Sequence, residues 1–168
     1  MMAIYRGCAL YLNNFQLSDS VEYTPPEITI DRAWYKAGAM DAPVPVDRGM
    51  KPLTARYKML GIDPTAFLFL GLTPGARARL TVHRVFRWRE RVLLIHDEME
   101  GFIDSIRSDG HSDDKAGVGQ EMTLSVSYYR VSVDGVQPLL EVIPAQGIRR
   151  QFGFNAQSLP ASILESMQ

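Results

Sequence analysis

The sequence predicts a mainly β protein: an antiparallel β-sandwich or barrel with one short flanking helix and a long extended hairpin. Two observations point there. Apolar and polar residues alternate with period two in several runs, the pattern of strands with one face in a core. Helical periodicity is scarce, and Gly and Pro punctuate the chain without a repeat unit or a domain-sized linker. At 168 residues the chain corresponds to about one domain, so residues 1–168 are read as a single unit. With 46% hydrophobic and 22% charged residues it matches folded soluble domains rather than disordered segments. A chain this long buries about 68–70% of its unfolded surface, so neither disulfide nor metal is needed for stability. Cys8 agrees, since one thiol cannot form an internal bridge.

The elements follow in chain order. The opening MMAIYRGCALYLNNF breaks its apolar run at Arg6 and Gly7 and continues into Asn13 and Asn14, which makes it a poor signal peptide. No stretch of about 18 apolar residues occurs, so no spanning helix is expected and the protein is expected to stay in the cytosol. Residues 27–36 read as a strand. Residues 35–50, YKAGAMDAPVPVDRGM, carry Gly and Pro clusters and two Met, without strict alternation. As an extended hairpin this segment cannot bury Met40, Val44, Val46 and Met50 against itself, because an isolated two-stranded ribbon is marginal in water. Another surface should cover it.

From Leu53 to Met59, Leu53, Ala55, Tyr57 and Met59 fall on one strand face and Thr54, Arg56 and Lys58 on the other. Asp63 as cap, Pro64 in the first turn, apolar Phe67, Leu68 and Leu70, and Gly71 at the end predict the short helix. From Leu80 to Trp88 the inward set is Leu80, Val82, Phe86 and Trp88, with Arg84 the exception. Strands are also expected at 93–106 and 137–143. The polar stretch SDGHSDDKAGVG, residues 108–119, predicts a mobile surface loop. Met122, Leu124, Val126 and Tyr128 alternate with polar residues until the pattern slips at Tyr128-Tyr129, as a bulge would make it. A second short helix is expected near Ser158.

Chemistry-bearing patterns are few. There is no G-x-S-x-G turn, no Walker A and no G-x-G-x-x-G, and Cys8 has only Arg6 as an electropositive neighbour. His83, His96 and His111 form no metal-binding spacing. His96, Glu98 and Glu100 share one strand face and could hold a divalent cation, although such a trio is more often a solvated face. Asp109, Asp113 and Asp114 around His111 lack the ligand register of a calcium loop. The protein is expected to be no enzyme and to take no cofactor or metal.

A net charge of −1 does not advertise a nucleic-acid or membrane-surface binder, so charge arguments are local. Residues 77–91 hold six Arg against Glu90, and residues 97–114 hold seven acids against Arg107. As arms of one hairpin through Arg89-Glu90-Arg91 these runs would pair across the strands. Alternatively Arg79, Arg84, Arg87, Arg89 and Arg91 belong to a patch that contacts another protein surface. In a third possibility, Arg84, Phe86, Arg87 and Trp88 make the platform of a monomeric OB-like single-stranded nucleic-acid-binding module.

The string YKAGAMDAPVPVDRGMKPLTARY resembles the signature of the major tail tube proteins of contractile-tailed phages and phage-tail-like bacteriocins. In that signature a strand leads into a Gly-Met-Asp-Ala-Pro turn and returns through a Gly-Met pair. GIDPTAFLFLGL resembles the family's short helix, and SVSYYRVSVDGVQPLLEVIPAQGIRR its penultimate strands and C-terminal return. The resemblance spans most of residues 23–155. It implies a tail-tube-like protomer: a homo-hexamer whose rings stack head to tail into a hollow tube within a contractile sheath. Gly38, Met40, Asp41, Ala42, Pro43, Gly49 and Met50, with Val44 and Val46 of the same arm, would then meet the adjoining ring. The implied partners are the tail sheath protein, a baseplate or tube initiator and a tube terminator. DNA or ions would pass through the lumen, and the protomer itself would bind no membrane. The implied location is the virion tail or a bacteriocin particle, assembled in the bacterial host cytoplasm. Ala39 stands where the family often has a second Gly, and the Arg run is heavier than expected. Because a conduit should not grip DNA phosphates, most of these Arg are expected to face protein, with acidic or neutral side chains lining the bore.

Overall fold

Where the sequence alternates, the chain pairs into sheet. A computed structural model describes residues 3–18, 21–61, 64, 75–110, 118–134, 138–152 and 154–155. The strands are β1 (Ile4–Leu12), β2 (Phe15–Ser18), β3 (Val21–Thr24), β4 (Ile30–Tyr35), β5 (Val44–Met50), β6 (Leu53–Leu60), β7 (Ala78–Trp88), β8 (Arg91–Ser108), β9 (Gly119–Val133), β10 (Pro138–Ile143), β11 (Ile148–Gln151) and β12 (Phe154–Asn155). The main sheet runs β12-β11-β10-β9-β8-β7-β1-β2, with β6 joined to β9 and β3 to β6. Every pairing is antiparallel, so the mainly β, antiparallel expectation holds. The helix expected over Asp63–Gly71, apart from Pro64, lies outside the described residues, as do the one near Ser158 and loop residues 111–117.

One core fills the space the sheet encloses. Leu10 and Leu12 of β1, Leu53, Ala55, Tyr57 and Met59 of β6, Leu80 and Val82 of β7, Met99 and Ile103 of β8, and Met122 and Leu124 of β9 are all buried. The set assigned to β6 is buried whole, as are Leu80 and Val82 of β7 and Met122, Leu124 and Val126 of β9, whereas Phe86 is only partly buried.

Strand β9 serves two neighbours. Its first half pairs with β6, from Gly119↔Leu60 to Val126↔Leu53, and its last part pairs with β10 through Tyr129↔Val142. Between them Ser127 is an extra residue: Glu100 faces Tyr128 while Gly101 faces Val126. The bulge therefore precedes the expected Tyr128-Tyr129 slip, and Tyr129 rather than Tyr128 turns into the core. At Gly101 an added Cβ would overlap the Ser125 carbonyl oxygen, so the two backbones approach too closely for any side chain.

Polar residues at positive φ close turns at the ends of strands. Asn13 and Asn14, at φ 48° and 69°, make the two-residue turn between β1 and β2. The Asn13 amide donates to the Arg79 carbonyl at 2.8 Å, and the Arg79 amide donates to Asn13 Oδ1 at 2.9 Å. Asp134, at φ 50°, repeats the device with Leu94 after β9: its amide donates at 2.8 Å and its Oδ1 accepts at 2.9 Å. Asp109 closes the root of the polar loop, accepting from the Gly119 amide at 3.1 Å and pairing with Lys58 at 3.1 Å.

Candidate assembly interface

Strands β4 and β5 pair with each other and with no strand of the main sheet. They form an arm with the register Arg32↔Asp47, Ala33↔Val46, Trp34↔Pro45 and Tyr35↔Val44. One face thus carries Ala33, Tyr35, Val44 and Val46, and the other Trp34 and Pro45 followed by Arg32 and Asp47. Trp34 is 72% exposed and Val46 45%, and Tyr35, Met40 and Val44 are exposed with them. Gly38 and Ala39 make the turn at the tip, where the Met40 amide donates to the Ala37 carbonyl at 3.0 Å. Asp41, Ala42 and Pro43 complete the exposed tip.

The root of the arm differs from its tip. Met50 packs against the core of its own chain, so of the residues expected to lie bare it is sheltered internally. Arg48 is an extra residue opposite the Asp31–Arg32 step, and Gly49 beside it has φ 111°, a conformation that favours glycine. Asp47 Oδ1 accepts from the Gly49 amide at 2.7 Å. The same carboxylate takes a two-pronged ion pair from Arg149 of β11, at 2.8 and 3.2 Å. These donors hold the Asp47 carboxyl below the usual aspartate range. Residues 47 and 149 lie too far apart in the chain for sequence spacing to signal their contact.

The Arg run and the acidic run are the arms of one hairpin, β7 and β8, turning at Arg89-Glu90. They pair across the strands as opposed charges should: Arg84 donates to Asp97 at 2.8 Å, and Arg79 lies 3.9 Å from Glu98. The five candidate Arg are not brought together. Arg84 lies on the core side with Leu80 and Val82, while Arg79 and Arg87 are exposed on the opposite side. Arg87 donates to the Arg89 carbonyl at 3.2 Å, Arg89 sits in the turn at φ 55°, and Arg91 opens β8, exposed. Arg84 and Phe86 share a face that excludes Arg87, so these three do not form one stacking platform.

Asp97 is the residue that sequence reasoning missed as a site. It is fully buried, between Arg84 and the hydroxyl of Tyr23. Burial pushes its carboxyl above the usual aspartate range, against the opposing pull of Arg84. Tyr23 and Tyr129 are pushed up as well, chiefly by burial. His96 stacks edge-on against His83 across the hairpin, with ring centroids 4.4 Å apart. Burial and His96 together lower the His83 pKa. Among the described residues no three His, Cys, Asp or Glu gather as a metal site, and no helix is long and apolar enough to cross a membrane.

These features define a class: a mainly β body, in the described residues, with an apolar arm that lies outside its core. The chain belongs to the phage tail tube protein FII family, whose model matches residues 3–153; this is a family of structural tail tube proteins. Among solved structures, the tube-terminating cap of the anti-feeding prophage is similar at TM-score 0.59 and 12% identity, over 77% of this chain and 88% of that one. The sheath-tube complex of an extracellular contractile injection system in its extended state contains a chain similar at TM-score 0.57 and 14% identity, over 77% and 89%. The sheath/tube terminator of such a system matches at 0.56 and 14%, over 77% and 94%. These likenesses are of fold. No curated protein matches by sequence.

Proposed function

We propose that this chain is the subunit of the inner tube of a contractile tail or injection particle, with six copies closing into a ring and rings stacking head to tail. The observation that carries this is the arm: β4, β5 and the tip between them expose Trp34, Tyr35, Met40, Val44 and Val46, and the two strands pair with no other described strand. A two-stranded ribbon is marginal on its own, and an apolar patch of this kind marks a contact surface. A head-to-tail contact that rotates shut gives a ring, and one that translates gives a filament.

The solved neighbours come from a sheath-tube complex, a sheath/tube terminator and a tube-terminating cap, which supports a sheath and a terminator as partners here. A baseplate or initiator would start the tube, and DNA or ions would traverse it. The exposed Arg79, Arg87, Arg89 and Arg91 would face protein rather than the bore. The particle would be a phage tail or a headless bacteriocin, built in the bacterial host cytoplasm.

Negative-stain imaging of the purified full chain, alone and added to preformed tube ends, tests the proposal. Rings or tubes of uniform bore are expected. A protein that stays monomeric at millimolar concentration and adds to no seeded end overturns it.

A further inference from the structure

We infer that Asp47 and Arg149 are positioning residues that aim the arm: their ion pair clamps the bulge at the root of β5 to β11 and so presets the direction in which the arm leaves the body. This rests on the tube reading for its purpose, but its geometry stands alone. A bulge bends the strand that contains it and is a natural pivot. Here the pivot is Arg48-Gly49, where only the φ of 111° at Gly49 lets the chain turn. One carboxylate serves both sides of that pivot. Asp47 Oδ1 accepts the Gly49 amide at 2.7 Å, which fixes the shape of the bulge, while both oxygens accept from Arg149, which fixes the bulge to the body.

The body side of the clamp is rigid. Arg149 pairs with Val142 across β10, and Val142 pairs with Tyr129 of β9. Directly opposed residues point to one side of a sheet, so the Arg149 stem continues the buried row of Tyr129 and Val142. The guanidinium side chain is only 13% exposed, held between that row and the arm. A planar fork meeting a carboxylate at two points constrains direction as well as distance, which a single contact would not. Beyond this root the arm has no strand partner among the described residues, so its aim is set there and the ordering cost of docking is met before a second copy arrives.

Hydrogen exchange on the unassembled full chain tests the clamp through Asp47→Arg, Arg149→Asp and the combined charge swap. Each single variant is expected to speed exchange across residues 30–50 about tenfold, with β8 and β9 unchanged, and the swap is expected to restore most of the protection. Asp47→Asn, nearly isosteric, should give a smaller acceleration confined to the arm, and it decides the matter if a reversal disturbs the sheet. Unchanged arm exchange in Asp47→Asn and the single variants, or a swap as fast as either of them, overturns the clamp. Growth on seeded tube ends, read in parallel, should slow about tenfold in the singles and recover in the swap. If the wild-type chain adds to no end, the tube reading fails while the exchange result still decides the clamp.

Discussion

Arg84 and Asp97 show what a single buried charge pair asks of its surroundings. Asp97 is sealed from water, and Arg84 reaches it from the core side of β7 at 2.8 Å. Removing one member leaves the other charge desolvated, which costs about 3–5 kcal/mol, whereas an apolar replacement of both is often neutral. Arg84→Ala should therefore lower stability by about that much in urea denaturation, with Arg84→Met/Asp97→Leu regaining most of the loss. The alternation flagged Arg84 as misplaced on an apolar face, but its partner was hidden among seven acids of similar spacing. Asp47 makes a second test through pH. Its folded pKa is depressed by Arg149, so its contribution is present above the usual aspartate range and fades as pH falls through the lowered value. An NMR titration should place the Asp47 midpoint lower in the wild type than in Arg149→Gln; coincident midpoints would contradict the pairing.

Elements were legible where one face is dry and the other wet. Strands β6, β7 and β9 were anticipated because their alternation is a direct record of burial, and Leu53, Leu80 and Leu124 are buried as that pattern requires. Strand β1 was not anticipated, since Arg6 and Gly7 interrupt its pattern and Arg6 is an extra residue in its pairing with β7. The Asn13-Asn14 pair could have disclosed the β1–β2 hairpin, because Asn tolerates positive φ. Strands β11 and β12 are too short to show a period. In β9 the slip in pattern located the bulge within two residues, but not its cause, the partner change from β6 to β10. Gly101 lies opposite that bulge with no space for a methyl group. Gly101→Ala should cost about 1–3 kcal/mol by chemical denaturation, because the β8 and β9 backbones must separate.

At the scale of the whole molecule the arm is the feature that a lone chain leaves unfinished. Its tip and outer strands were legible because Met40, Val44 and Val46 sit in a segment with no self-contained way to bury them. Its root was not, since the contact of Met50 with the core is made only in the folded chain and leaves no mark in the spacing of residues 35–50. Met40→Asp should change stability by no more than about 0.5 kcal/mol, as expected for an exposed position, yet abolish tube growth in electron micrographs. Normal tubes from that variant would remove the arm tip from the contact.

Cys8, the one thiol in the sequence, is buried in the core beside Leu10 and Leu12. No disulfide between copies can form from such a residue without the shell opening, so self-association of this chain should not respond to oxidant or reductant through a thiol. The same concealment leaves no native thiol exposed on the surface. A cysteine introduced at Gly38 would be the sole exposed thiol, and a dye or spin probe attached there would report on the arm without replacement of Cys8.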